Sequence, residues 1–132
     1  MANEASFSIT LTGETTGEKW FGKFKAKTVL THRDYLTKDR LRREYLGPNS
    51  STADVRVVNT AIMASELAVR ITDAPKWWQS SDNGLELADD NLVLKVFNEA
   101  IRVETEAAEA QKKLADEAGE EIKEKLAKDT DK

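Results

Sequence analysis

The chain contains no cysteine, which excludes disulfide bonds, thiolate catalysis and cysteine-ligated zinc sites. It contains a single histidine, His32, so only this residue could act as an imidazole base or ligand. No stretch approaches the roughly 18 consecutive apolar residues that a membrane-spanning helix requires. The first ten residues lack a basic region followed by an apolar run, so we expect no secretion signal. These absences favour a protein of the reducing cytoplasm.

The motifs of common catalytic sites are also missing. There is no glycine-rich phosphate loop ending in Lys-Ser or Lys-Thr, no His-Glu-x-x-His and no Gly-x-Ser-x-Gly. We interpret His32 as an exposed residue at the start of a helix, because no nucleophile or metal ligand is identifiable near it. Asp89 and Asp90 are interpreted as helix-start residues, with a cation site as the alternative. We therefore expect a non-enzymatic protein without a cofactor or a metal.

Length and composition predict one folded domain with a charged addition. A chain of 132 residues is long enough to bury a core. Hydrophobic residues make up 39% and charged residues 33%, which is slightly poor in apolar residues for a globular domain. Residues 102–132 contain 7 basic and 10 acidic residues, a net charge of -3 out of a total of -4. We predict a globular domain over residues 1–103 and a charged, solvated, helical or partly disordered tail over residues 104–132.

The amino-terminal region has the pattern of a β-hairpin. Apolar and polar residues alternate at 7–11 and again at 20–30, which is the period of a half-buried strand. The segment between the strands contains Gly13 and Gly17, which we expect to supply the positive φ angles of the reversal. Because two strands alone are marginal in water, their apolar face should pack on helices or on another chain.

Three long helices are predicted after the hairpin. Thr31–Asp34 resembles a capping box, and Gly47-Pro48 should end the helix that begins there. Residues 49–52 are predicted as a loop. A second helix should cover residues 54–73, and its broad apolar stripe is typical of the central helix of a core.

The remaining elements complete an α+β fold. Pro75 should begin a short helical turn, and a third long helix should begin at Asp89 or Asp90. The predicted fold is a two-stranded β-hairpin packed on a three-helix body, with the last helix extended and highly charged. A narrow stripe on that helix is interpreted as a solvated face, or alternatively as a partner-binding face, and comprises Leu114, Ala118, Ile122 and Leu126.

A basic segment supplies most of the candidate binding residues. Between residues 19 and 43 there are nine basic and two acidic residues, a local charge of +7. The candidates for partner binding in this segment are Phe21, Lys23, Lys25, Arg33, Arg40 and Arg43. We interpret the segment as a solvated face or a protein-binding patch, in which strand lysines protect an edge and Asp39 pairs with Arg43 and Arg40 with Glu44. Binding of nucleic acid is the alternative, because lysines can follow phosphates while Phe21 stacks on a base.

Trp77 and Trp78 are further candidates for contact with a partner. Indole rings are enriched in the energetic centres of protein interfaces. Neighbouring residues on a turn point in different directions, so we expect one ring in the core and the other near the surface.

Several of these patterns resemble those of small tailed-phage proteins of the tail assembly chaperone type. The similarity covers most of residues 7–103. The residues that carry it are Gly22, Phe24, Lys27, Leu30–Asp34, Asp39, Arg42, Arg43, Leu46–Pro48, Leu67–Arg70, Ala74, Pro75, Trp77, Trp78 and Asp89–Asn91. The resemblance implies a non-enzymatic factor of the host cytoplasm, often with a helical body. Such a factor binds the tape measure protein and keeps it soluble while the tail is assembled.

Two other functions stay open from the sequence. The chain could be a structural subunit of the virion, in the tail or the neck, whose hairpin adds to a neighbouring sheet. It could also be a nucleic-acid-binding module that uses the basic segment 19–43. For the chaperone function, the expected docking surface is the hairpin together with the Trp77–Trp78 corner. Assembly into a homo-oligomer is compatible with each of these functions.

Overall fold

The computed structural model describes residues 3–48 and 54–130, and its elements confirm the α+β class. In chain order these elements are β1 (Glu4–Thr12), β2 (Lys19–Lys27), α1 (His32–Leu46), α2 (Val55–Arg70), β3 (Ile71–Asp73), the one-turn helix α3 (Lys76–Gln79) and α4 (Asp90–Thr130). The strands form one antiparallel sheet in the order β1-β2-β3. The loop predicted at residues 49–52 lies outside the described residues.

The predicted hairpin is present and provides one wall of the core. Phe7 lies opposite Phe24 in the register of β1 and β2, and their rings stack with centroids 5.2 Å apart. Ile9 and Ala26 lie on the same face, and all four side chains are buried. The alternate residues face solvent, as a period of two requires. The hairpin therefore has an inner apolar face and an outer polar face.

The reversal between β1 and β2 needs its two glycines for different reasons. Gly17 has a φ of +74°, which is the conformation expected for both glycines. Gly13 is not among the residues with positive φ, so that part of the prediction is wrong. A Cβ atom at Gly13 would lie only 2.1 Å from Oδ2 of Asp89. The close approach of another segment, and not the turn geometry, therefore selects glycine at position 13.

α1 begins and ends at the predicted residues. The hydroxyl of Thr31 accepts a hydrogen bond from the Asp34 amide at 3.2 Å, and the Asp34 carboxylate accepts one from the Thr31 amide at 2.9 Å. Gly47 ends the helix with a φ of +75°, and its amide donates to the carbonyl of Arg43. α1 packs against α2, but none of its residues is fully buried. This helix therefore covers α2 without entering the core.

α2 is shorter than predicted, and the difference produces a third strand. The helix was expected to reach residue 73, but it ends at Arg70 and the next three residues form β3. β3 pairs antiparallel with the edge of β2 that β1 leaves open. The β-branched side chains of Ile71 and Thr72 favour extended backbone, and Pro75 disfavours helical geometry at the residue before it. The sheet therefore has three strands instead of two.

α2 and α4 run parallel, side by side, on the inner face of the sheet. Arg56 bonds to Asp90 near the start of both helices, and Arg70 bonds to Glu104 near the end of α2. The partners of both pairs are 34 residues apart in sequence, so the helices keep the same direction between the two pairs. The buried cluster that joins the helices to the sheet and to α3 comprises Phe7, Ile9, Phe24, Ala26, Leu67, Ala74, Trp78, Leu92, Val96, Ala100 and Val103.

α4 continues far beyond this body. Val103 is the last residue of α4 that is buried among the side chains described up to residue 127, whereas the described helix reaches Thr130. At about 1.5 Å per residue, its 41 residues extend over about 60 Å. Within residues 3–48 and 54–130, none of the helices combines the length and the apolar character needed to cross a bilayer. The division of the chain at residue 103 stays a prediction.

Truncation of the chain after Ala110 tests that division. We expect the shortened protein to keep one cooperative unfolding transition, because it retains every buried apolar residue and the Arg70–Glu104 pair. The midpoint of thermal unfolding should change by less than about 3 °C, since exposed residues contribute little individually. Far-ultraviolet circular dichroism during heating measures both quantities. A broad transition without a clear midpoint would show that residues after 110 belong to the folded unit.

Candidate functional site

Asp89 ties the hairpin turn to the start of α4. The residue is 1% exposed. Its Oδ1 accepts hydrogen bonds from the amides of Thr15 and Thr16, both at 2.8 Å, and its Oδ2 accepts from the Thr16 hydroxyl at 2.7 Å and the Trp20 indole at 2.9 Å. These donors lower the pKa of Asp89 from 3.8 to about 2, with the Thr16 hydroxyl as the largest cause, while burial acts in the opposite direction. The ionised carboxylate therefore holds the hairpin against the helical layer.

The interpretation of Asp89 and Asp90 as helix-start residues is only partly correct. α4 does begin at Asp90. The carboxylate of Asp89, however, accepts bonds from the hairpin and not from the first turn of α4. Asn91 strengthens the same junction, because its Oδ1 accepts from the Glu14 amide at 3.0 Å and its amide group donates to the Thr12 carbonyl at 2.9 Å. The side chains of Asp89 and Asn91 therefore bond to the hairpin and not to the first turn of α4.

The outer face of the hairpin is basic and carries one exposed aromatic ring. Phe21 is 70% exposed and lies between Lys19 and Lys23 on this face, and Lys25 follows. The β1 residues directly opposite carry hydroxyl groups and are Thr12, Thr10, Ser8 and Ser6. None of the three lysines forms an ion pair within the part of the chain that the structure describes. Three predicted binding residues, Phe21, Lys23 and Lys25, thus share one surface.

The two neighbouring tryptophans have different environments, as predicted for residues on a turn. Trp78 is 2% exposed, and its ring centroid lies 5.7 Å from that of Phe24. The Trp77 ring is partly buried at 4.9 Å from Trp20, and its indole N–H donates to the Phe21 carbonyl at 3.0 Å. The expectation that Trp78 contacts a partner is therefore corrected, because its ring lies in the core. Trp77 lines a cleft of about 470 Å³ beside the hairpin.

The arginines predicted to bind a partner lie on α1, a different element from the hairpin lysines. Arg43 pairs with Asp39, which confirms the pair predicted from their spacing. Arg33 and Arg40 are exposed. Neither forms an ion pair among the described residues, so the predicted pair between Arg40 and Glu44 is absent. Arg33 and Arg40 thus keep charges available to a partner, whereas Arg43 shares the single carboxylate of Asp39 with Arg42.

A second surface, which the sequence interpretation missed, is a groove between α2 and α4. The residues that line it follow one face of each helix and include Val55, Asn59, Ile62 and Met63 on α2 and Asp90, Leu94 and Phe97 on α4. The groove has a volume of about 600 Å³. Val55 is 73% exposed, Leu94 is 48% exposed and Ile62 is 39% exposed. Contiguous apolar side chains left open to water are typical of protein interaction sites. We call this surface the α2–α4 groove.

The sequence did contain a signal for the α2–α4 groove. The apolar residues of the second helix wrap more than one of its faces, and the whole stripe was interpreted as core. In the structure Ala64 and Leu67 are buried, whereas Val55 and Ile62 are exposed. The apolar residues of α2 occupy more of its circumference than one neighbouring element can cover. Such a pattern indicates a second apolar face on the helix.

A network of four charged side chains joins α1, α2 and α4 near the end of α2. Glu66 on α2 accepts a bond from Lys38 on α1 at 2.9 Å and from Arg70 at 2.8 Å, and Arg70 also pairs with Glu104 on α4. Only 7% of the Arg70 side chain is exposed. Burial alone would raise the pKa of Glu66, but the bonds from Lys38 and Arg70 lower it below its ordinary value. The network therefore contributes to the spacing of α2 and α4.

The candidates for metal binding and proton transfer are dispersed. No group of three or more histidine, aspartate or glutamate side chains in the described ranges is arranged to hold a metal ion. His32 is exposed at the first position of α1, as interpreted from the sequence.

Comparisons with known proteins identify no relative. No protein-family model matches the chain, and neither the curated proteins nor the solved structures contain a significant match.

Proposed function

We propose that the protein is a non-enzymatic tail assembly chaperone that binds an amphipathic helical segment of a tape measure protein in the α2–α4 groove. The exposed apolar lining of this groove supports the proposal most directly. Contact of Val55, Ile62 and Leu94 with water is unfavourable. A partner that covers these side chains therefore makes the free energy of binding more favourable. The resemblance of sequence patterns supplies the class of partner.

The shape of the groove suits a helix. Its α2 lining extends from Val55 to Met63, and its α4 lining from Asp90 to Phe97. At about 1.5 Å per residue, each lining is about 10–12 Å long, or two helical turns. Apolar residues of a partner helix at positions i, i+4 and i+7 would occupy such a groove.

The polar rim of the groove and the charge of the α4 extension suit a protein that keeps an apolar partner in solution. Arg56 and Asp90 pair at 2.9 Å while more than 70% of each side chain stays exposed, which gives the groove a polar rim. The net charge of -3 after residue 101 adds repulsion between copies of the protein. Such repulsion would keep a complex with an apolar, aggregation-prone partner in solution.

Substitution of the groove lining tests the proposal. We expect Ile62→Glu and Leu94→Glu each to weaken binding of a co-expressed tape measure fragment by about tenfold or more, because a charge would be buried against the partner helix. Leu114→Glu makes the same change at a residue that is 59% exposed on the extension, and it should bind as the wild type does. Isothermal titration calorimetry with the purified fragment measures the affinities of the wild type and the three variants. Equal affinities for the four proteins would refute the groove as the binding site.

Two further measurements separate the chaperone from the other candidate functions. A chaperone should be absent from finished particles, whereas mass spectrometry would detect a structural subunit there in fixed copy number. A nucleic-acid-binding module should bind a single-stranded oligonucleotide with a steep dependence on salt. In that case Lys23→Gln together with Lys25→Gln should abolish binding, and the outer hairpin face would replace the groove as the functional surface.

A further inference from the structure

β1 forms an edge of the sheet that lacks the usual protection. It is nine residues long, pairs with β2 alone and keeps an uninterrupted register from Glu4 to Thr12. It contains no lysine, arginine or proline, and Glu4 is its one charged residue. Edge strands of soluble proteins are normally short, charged, bulged or covered, because their unpaired backbone groups recruit another strand. β1 is neither short nor bulged, and its single charge lies at its first residue.

The free backbone groups of β1 belong to its even-numbered residues. The Gly13 amide donates to the Glu18 carbonyl at 2.8 Å, and the Thr28 amide donates to the Asn3 carbonyl at 2.8 Å, so odd-numbered residues face β2. Because the bonding direction alternates along an antiparallel strand, the even-numbered residues face the open edge. These residues, all of them exposed, are Glu4, Ser6, Ser8, Thr10 and Thr12.

Most of this open edge is unoccupied. Among the backbone groups of these five residues that face the edge, only the Thr12 carbonyl accepts a hydrogen bond in residues 3–48 and 54–130, from the side chain of Asn91 at 2.9 Å. The edge-facing donors and acceptors from Glu4 to Thr10 therefore remain available to a second strand.

We propose that a second copy of this chain pairs with the edge, with the two β1 strands antiparallel about a twofold axis at Ser8. Ser8 then lies opposite Ser8 of the other copy, Ser6 opposite Thr10, and Glu4 opposite Thr12. Each pair joins two even-numbered residues, so free amides meet free carbonyls. The two three-stranded sheets become one sheet of six strands.

The side chains are complementary in this register. On the inner face Phe7 lies opposite Ile9 of the other copy, which extends the apolar surface across the new strand pair. On the outer face the hydroxyl groups of Ser6, Ser8 and Thr10 lie opposite one another, and such pairs stabilise sheets. No like charges are opposed, because Glu4 faces Thr12. A shift of one residue would place apolar side chains opposite polar ones, so the alternation of β1 selects an even register.

The interface is small, which determines how it should behave in solution. The central pairs at Ser8 and at Ser6 with Thr10 supply about six backbone hydrogen bonds. Interfaces below about 1,200 Å² are usually weak and reversible. We therefore expect a monomer–dimer equilibrium that depends on protein concentration.

Sedimentation velocity of the full chain, over concentrations of about 1–500 µM, tests the proposal. The wild type should shift from monomer to dimer within this range. Ser8→Lys should stay monomeric, because it places like charges opposite each other at the twofold axis. Ser8→Thr keeps the hydroxyl and should dimerise as the wild type does. Circular dichroism of both variants checks that the monomer stays folded.

Hydrogen exchange distinguishes dimer formation from a role of Ser8 within the folded monomer, because only dimer formation makes amide protection depend on protein concentration. The amides of Phe7 and Ile9 bond to β2 and should be protected at every concentration. The amides of Ser6, Ser8 and Thr10 should become protected only as the dimer forms. A wild type that stays monomeric, or a dimer that persists in Ser8→Lys, would overturn the proposal. Protection that appears only on addition of the tape measure fragment would assign the edge to that partner instead.

Discussion

Replacement of Asp89 by alanine should lower the midpoint of thermal unfolding by roughly 10 °C, because several donors lose their acceptor at once. The Trp20 indole and the Thr15 and Thr16 amides converge on this carboxylate, and Asp89 itself is 1% exposed. In the variant, these donors would have to bond to water, and the connection that the Asp89 carboxylate makes between the hairpin and α4 would be lost. The substitution should therefore loosen the hairpin as well as lower the overall stability.

Asp90→Ala is the matched control for this experiment. Asp90 is adjacent in sequence and carries the same charge, but its side chain is 75% exposed in the pair with Arg56. Loss of an exposed ion pair should change the midpoint by less than about 2 °C. Differential scanning calorimetry of the two variants provides the comparison. Similar midpoints for Asp89→Ala and the wild type would show that the Asp89 bonds do not stabilise the fold.

The low pKa of Asp89 also predicts how stability depends on pH. The folded-state pKa of about 2 lies below the ordinary value of 3.8, so protonation favours the unfolded chain. The stabilisation by Asp89 is complete above pH 4 or so and is lost as the pH falls towards 2. Asp89→Asn does not titrate, so its stability should fall less over this range than that of the wild type. Urea unfolding of both proteins between these pH values measures the difference, and parallel curves would contradict the assignment.

Replacement of Glu66 by alanine should destabilise the protein by about 3 kcal/mol, since it removes an acceptor from a buried cation. The Arg70 side chain is 7% exposed and would keep Glu104 as its remaining partner. The Lys38 ammonium would lose its partner as well, which weakens the contact between α1 and α2. Chemical denaturation at neutral pH measures the free energy of unfolding.

A second substitution at Arg70 distinguishes loss of charge compensation from loss of packing. In Glu66→Ala with Arg70→Met, no buried cation remains, so the double variant should be more stable than Glu66→Ala alone. Glu104→Ala is the milder comparison, because Glu104 is 30% exposed and Arg70 keeps its bond to Glu66. If the loss of stability in the double variant equalled the sum of the losses in Glu66→Ala and Arg70→Met, the two side chains would not be coupled and the role assigned to the network would be contradicted.

The features predicted correctly from the sequence are those that depend on neighbouring residues. The alternation at 7–11 and 20–30 specifies a hairpin because side chains of a strand alternate between its two faces. Thr31 and Asp34 complete a capping box within one helical turn, and Gly47 ends the same helix. Each of these signals is contained in a few consecutive residues, so the fold class could be predicted.

The features that the sequence did not reveal depend on residues that are distant in the chain. Asp89 accepts bonds from Thr16, which is 73 residues away, so its helix-start position concealed its main contact. Local preferences favour extended backbone at Ile71, but β3 also needs the open edge of β2 beside it, which depends on residues far away in the chain. The α2–α4 groove requires the parallel arrangement of two helices, and it places Ile62 and Leu94 on one surface.

The same long-range packing changes which residues we consider functional. The sequence suggested the hairpin and both tryptophans as the docking surface, but Trp78 lies in the core and Trp77 is partly buried against Trp20. An exposed apolar area that the sequence did not suggest lies between α2 and α4, at Val55, Ile62 and Leu94. The hairpin keeps a basic outer face whose role the oligonucleotide titration tests.

We propose that the α2–α4 groove binds a helix of a tape measure protein, and one titration tests this directly. Nuclear magnetic resonance of the labelled chain, titrated with an unlabelled tape measure fragment, locates the contact residue by residue. We expect the largest shifts at Val55, Ile62, Leu94 and Phe97, with little change along the outer face of β2. Shifts confined to Phe21, Lys23 and Lys25, or no shifts at saturating fragment, would contradict the claim.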